Sequence, residues 1–197
     1  HQKTAKKFKK SKKVVFSELG FDINKKTIII GPPKKNFTSF RDNLFISRSI
    51  SNIKKNLDIN IGINPHPQDR LYGDLERFQK YDLPIIPPNI FYEILRYSDA
   101  FIVAYSSVGL EASMVKVPTI VANHNRDIPE LPYYRDRVNK NYPKGIVEDY
   151  NVGLTCKSRD IVKTLESIFN DEIEFDFERF NRDFSFSEDG CSYLRVA

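Results

Sequence analysis

Residues 98–121 (SDAFIVAYSSVGLEASMVKVPTIV) constrain the fold of this chain more than any other stretch. Ala100 to Ala104 is a short apolar run of the kind that forms a parallel strand buried on both faces. Tyr105, Ser106, Ser107 and Gly109 predict a tight turn after it. Leu110, Ala112, Met114 and Val115 then suit a helix packed on the sheet. Lys116-Val117-Pro118 ends that helix, and residues 119–122 start a further strand. A serine turn at a helix N-terminus presents free backbone N–H groups and the positive end of a helix dipole, which suits a phosphate. Ligands of open α/β sheets bind outside the carboxyl ends of the strands.

Other segments repeat the strand–helix alternation. An apolar β-branched run over 27–30 predicts a first strand, ended by Gly31-Pro32-Pro33. A helix over 40–55 follows, then an alternating strand over 57–63 that ends in Asn64-Pro65-His66-Pro67. The pattern predicts a polar helix over 71–80 and a third strand over 83–86, closed by Pro87-Pro88. Asn89 caps a helix over 90–97 with Ile90, Ile94 and Leu95 inward and Glu93 and Arg96 outward. Residues 125–142 form a long polar, Pro-rich loop, and 145–154 hold a last strand. Ser158 caps a helix with Ile161, Val162, Leu165, Ile168 and Phe169 on one face. In 174–178, acids alternate with phenylalanines as a solvated face over an aromatic one. Strands and helices at such intervals predict an α/β fold, a Rossmann-like parallel sheet with helices on both faces.

Charge divides the chain. Residues 1–13 carry seven lysines and no acid, and the formal net charge of +5 therefore leaves −2 for residues 14–197. Residues 1–22 read as a basic linker or inter-domain segment, and 23–197 as one nucleotide-sugar-binding domain. The head suits either a solvated linker or a tether to an anionic membrane surface. The slightly acidic body does not favour nucleic acid as a ligand. No apolar run approaches the roughly 20 residues needed to cross a membrane, and Cys156 and Cys191 fit a reducing, cytoplasmic compartment. No dinucleotide fingerprint, P-loop, nucleophile elbow or zinc motif is present.

Three positions gather at one predicted edge. His66, fenced by prolines, would donate to a phosphate oxygen; otherwise it caps a carbonyl. Ser106 and Ser107 would hold a phosphate, although Ser107 serves equally as an ordinary N-cap. Glu111, one turn further on, would accept from ribose or sugar hydroxyls, or simply favour the helix start. Gly31 would let backbone approach a ligand, or make a turn. Gln68, Asp69 and Arg70 read as surface residues. Nothing assigns a catalytic residue or a metal ligand.

The order of these motifs resembles the C-terminal, donor-binding half of a GT-B glycosyltransferase: a strand with Gly31, then His66-Pro67, Ile86-Pro87, Ser98-Asp99, Ser106-Ser107-Val108-Gly109-Leu110-Glu111-Ala112 and Val117-Pro118-Thr119-Ile120. It is similar above all to bacterial capsule and surface-polysaccharide transferases with cytidine-linked donors. The resemblance covers 27–195. It implies that His66, Ser106 and Ser107 hold the donor phosphate, that Glu111 meets ribose or sugar, and that Gly31, Ile86, Pro87 and Gly109 lie near the base or phosphate. It further implies no cofactor and no metal, a CMP- or CDP-linked donor, a glycan or lipid-linked acceptor, and a second, N-terminal Rossmann half in cis or in trans. This chain alone is thus expected to bind a nucleotide without turnover, in the cytoplasm at the inner face of the membrane. Relatives often read Gly-Lys-Pro where this chain has Lys116-Val117-Pro118. Two alternatives stay open: a UDP-N-acetylglucosamine 2-epimerase-like enzyme, whose Ser-Gly-Gly turn differs from Ser106-Ser107-Val108-Gly109, and a non-catalytic binding module.

Overall fold

The computed structural model describes residues 10–35, 40–104, 108–122 and 144–185. Five parallel strands form one sheet: β1 (Thr27–Gly31), β2 (Asn60–Ile63), β3 (Ala100–Val103), β4 (Thr119–Ala122) and β5 (Gly153–Cys156), in the order β2-β1-β3-β4-β5. Residues 98–121 therefore do supply the central strand and its neighbour. β1 to β4 are buried throughout, as continuous apolar runs between two helical layers must be.

One face of the sheet is covered by α2 (Phe40–Asn56) and α7 (Ile161–Phe169). Ile46, Ile50, Ile53, Leu165 and Ile168 meet Ile28, Ile30, Ile102 and Ile120 there. On the opposite face, Ile29, Phe101, Val103 and Val121 pack under α1 (Lys12–Leu19), α4 (Phe91–Arg96), α5 (Val108–Met114), α6 (Lys144–Asp149) and α8 (Phe177–Ser185). The division follows from handedness. The β1-to-β2 crossover runs one way across the sheet and the three later crossovers run the other way, so right-handed connections put their helices on opposite faces.

α1 packs on the core through Val15 and Phe16, both fully buried. It stops at Gly20, whose φ of +68° lets the Phe21 N–H return to the Phe16 carbonyl at 2.8 Å. No helix among the described residues is long and apolar enough to cross a membrane.

Several expectations are corrected. The expected strand over 57–63 is formed only at Asn60–Ile63, because Leu57 still donates to the Ile53 carbonyl at the end of α2. The expected strand over 83–86 is a single bridge from Ile85 to Ile63, since Pro84 and Pro87 lack the N–H groups a ladder needs. The expected helix over 71–80 is a short α3 (Pro67–Leu71) and a 3₁₀ helix, Asp74–Tyr81, separated at left-handed Gly73. Residues 145–154 hold most of α6 and the start of β5, and α7 begins after Asp160 rather than after Ser158. Glu93 is only 7% exposed, because α4 packs on α1 as well as on the sheet. The loop at 125–142 lies outside the described residues.

Candidate functional site

The strand order creates a switch point. From β1 the chain moves to one side, to β2; it then crosses to the other side, to β3 and beyond. Connections leaving the carboxyl ends of β1 and β3 therefore diverge and leave a crevice between them. The segments after β2, β1 and β3 follow one another along this edge.

His66 stands after β2, in the N-cap position of α3 with Pro67 at the first helical position. Its Nδ1 accepts the Gln68 backbone N–H at 3.2 Å. An accepting Nδ1 is unprotonated, so the neutral ring carries its proton on Nε2, as a donor. Burial lowers the imidazole's pKa below the usual 6.5, and Lys34 and Arg77 add to that while Asp69 opposes it. The sequence offered a carbonyl cap or a phosphate donor as alternatives; the ring instead caps a backbone N–H through Nδ1, which leaves Nε2 to donate.

Asp69 is buried, 2% exposed, and not a surface residue. Its Oδ1 accepts the Lys35 N–H at 3.1 Å and its Oδ2 meets the Arg77 guanidinium at 2.7 Å. Arg77 also donates to the Pro33 carbonyl at 2.6 Å. Arg70 is half-buried and donates to the Ile86 carbonyl and to Asn64 Oδ1. Gln68 is exposed, as expected, and its Oε1 accepts from Lys34 Nζ at 2.9 Å. Sequence reading passed over Asp69 and Arg77. No local signal marked them, because the partners of Asp69 lie 8 and 34 residues away in sequence.

Ser106 and Ser107 lie outside the described residues, which resume at Val108, the first residue of α5. Glu111, in the first turn of α5, accepts from Tyr92 Oη at 2.5 Å. Burial and this carboxylate push the Tyr92 phenol well above its usual range, so Tyr92 stays protonated and holds Oε2. Sequence reading missed Tyr92, which lies 19 residues from Glu111 and meets it only in the folded chain.

The two glycines have packing reasons. A Cβ on Gly31 would come within 2.7 Å of the Phe101 ring, so Gly31 closes β1 against β3 and is not a turn. A Cβ on Gly109 would meet Thr119 Cγ2 at 2.9 Å, and Thr119 Oγ1 donates to the Gly109 carbonyl at 2.6 Å, which seats α5 directly on β4. Ile86 is fully buried with its N–H bonded to the Ile63 carbonyl and its own carbonyl taken by Arg70; Pro87 follows, exposed. Asp99 is at the opposite edge, where Oδ2 accepts the Thr27 N–H at 2.8 Å and starts β1.

No protein-family model matches this chain, and no curated protein matches it. Solved structures do. One is the wall teichoic acid polymerase TagF soaked with CDPG, with a TM-score of 0.59 and 19% identity over 93% of this chain and 42% of that one. A second is UDP-GlcNAc 2-epimerase from Methanocaldococcus jannaschii, with a TM-score of 0.54 and 18% identity over 89% and 49%. A third is S. aureus MnaA with UDP, with a TM-score of 0.53 and 13% identity over 97% and 48%. This chain spans about half or less of the length of each. By fold, it is an α/β unit with a five-stranded parallel sheet that corresponds to one half of GT-B-like structures.

Proposed function

We propose that this chain is the donor-binding half of a glycosyltransferase that takes its sugar from a cytidine-linked (CMP- or CDP-) donor in surface-polysaccharide synthesis. Strand order carries the reading. β2 and β3 flank β1, so the connection with His66 and the connection from Ala104 to Val108, which contains Ser106 and Ser107, start about 10 Å apart at one edge, two strand spacings. That gap suits the phosphates of a nucleotide. His66 donates from Nε2, and Ser106 and Ser107 hold the phosphate. Glu111 uses the oxygen that Tyr92 leaves over to accept from ribose or sugar hydroxyls. The base packs beside Ile86 and Pro87 without hydrogen bonds to Ile86, whose N–H and carbonyl are both in use.

No metal or cofactor takes part in this reading. A glycan or lipid-linked acceptor comes with an N-terminal Rossmann half, in cis or in trans. The lysines of residues 1–13 bring the protein to the inner face of the membrane, on the cytoplasmic side.

An epimerase-like function is the second reading, favoured by the matches to two structures of the UDP-GlcNAc 2-epimerase from Methanocaldococcus jannaschii across the same region. A titration panel of CMP, CDP, UDP, GDP and ADP on this chain separates the two. Preference for CMP or CDP supports the transferase, and preference for UDP supports the epimerase. Absence of binding at millimolar concentration overturns both for this chain and favours a binding module.

A further inference from the structure

The loop after β1 is pinned from beneath. Asp69 Oδ1 accepts from Lys35 N–H, Asp69 Oδ2 pairs with Arg77, and Arg77 donates to the Pro33 carbonyl. Lys35 Nζ adds an exposed pair with Asp74 at 2.5 Å. Three segments separate in sequence (residues 33–35, α3 and the 3₁₀ helix) thus share one buried carboxylate.

What this junction supports lies directly above it. Asp69 is two residues past Pro67 on α3, the helix that His66 caps. Gln68 bonds to both sides of that region: its backbone N–H donates to His66 Nδ1, and its side-chain oxygen accepts from Lys34 Nζ. Lys34 and Lys35 belong to the loop that Asp69 holds. A buried ion pair contributes little to stability compared with a well-packed apolar pair, because desolvation cancels most of the attraction. Its distinctive property is geometric, since charge-assisted hydrogen bonds fix separation and angle.

We propose that Asp69, paired with Arg77, is a positioning residue that registers the 33–35 loop against the His66-capped helix, so that Lys34 and His66 act as one anion-binding unit for the donor phosphates. The proposal rests on the reading of His66 as a phosphate ligand. Asp69 has both oxygens engaged and acts through its neighbours, not on the donor.

The test uses the full 197-residue chain with D69N, K34M and the double variant, each titrated with CDP. D69N keeps the shape and the acceptor for Lys35 but removes the charge that holds Arg77. With the fold intact by circular dichroism, D69N weakens CDP about 10-fold, the scale of one charge-assisted hydrogen bond. In the K34M background it costs far less, because the unit is already broken. A solely structural Asp69 would lower the melting temperature, leave CDP affinity of the folded protein unchanged or add independently to K34M, and so overturn the proposal. If D69N does not fold, R77K carries the same readouts, because the shorter, flexible lysine stem does not hold an ammonium at the place of Nη2, the one nitrogen that serves both Asp69 and Pro33.

A wild type that binds no CDP defeats the donor reading and not the junction. The junction is then judged by the backbone amide shifts of Lys34 and Lys35 in D69N. Changes that reach Lys34 and its partner Gln68 support registration, and shifts confined to Asp69 and its chain neighbours refute it.

Discussion

Replacing His66 by asparagine separates the two tasks assigned to this side chain. Asparagine is among the best N-cap residues, and its side-chain oxygen can take over the Gln68 N–H now bonded to Nδ1. It offers nothing at the position of Nε2. His66→Asn should therefore leave folding stability within about 0.5 kcal/mol of wild type, whereas His66→Ala, which loses the cap, should cost about 1 kcal/mol. Nucleotide binding should respond differently. A hydrogen bond to a charged group contributes about 1.5–3 kcal/mol, so both variants should lose roughly 10- to 150-fold in CMP or CDP affinity. Urea unfolding followed by circular dichroism reads the first quantity and isothermal titration the second. The reasoning fails if His66→Asn binds like wild type, which would reduce His66 to a cap, or if the two variants are equally destabilised, which would remove the cap.

Because burial lowers the His66 pKa in the folded state, the unfolded chain takes up this proton first as pH falls. The resulting stability is complete above about pH 6.5 and is lost as pH falls through the folded value; pH-dependent unfolding of wild type should show a slope there that His66→Asn lacks. Gly153→Ala should be severe, since its Cβ would lie 2.0 Å from the Thr119 carbonyl oxygen, between paired strands that cannot move apart without losing ladder bonds. We expect a loss of about 3–5 kcal/mol, overpacking plus one or two hydrogen bonds, seen as a melting-temperature drop of about 6–20 °C; a drop under about 3 °C would refute the steric account. The Cys156 thiol, buried and pushed up to about 11, should react with a thiol reagent only as fast as the protein unfolds; rapid labelling under native conditions would contradict its placement.

Much of the fold was legible in the sequence because it rests on local patterns. The apolar runs of β1, β3 and β4 could only be strands covered on both faces, and Gly20 and Gly31-Pro32-Pro33 marked stops through backbone chemistry that acts within a few residues. Where local pattern misled, a neighbour distant in sequence had intervened. Glu93 looked like a solvent-facing acid until α1 covered α4. Asp69 looked like a surface residue of a polar turn until Arg77 and the 33–35 loop closed over it. Gly31 looked free to make a turn, but it ends β1 as a paired strand residue, and the Phe101 ring on the adjacent strand is what excludes a side chain.

The sequence by itself determined the parallel α/β class, the central strand and the helix that follows it, and the place of His66 after a strand, since hydrophobic period, prolines and caps act over a few residues. Only the tertiary structure decided which segments share the carboxyl edge of the sheet, and that Asp69 holds the 33–35 loop and Tyr92 holds Glu111. Those features depend on strand order and helix packing, which bring together residues 8, 19 and 34 positions apart through contacts that no local pattern encodes.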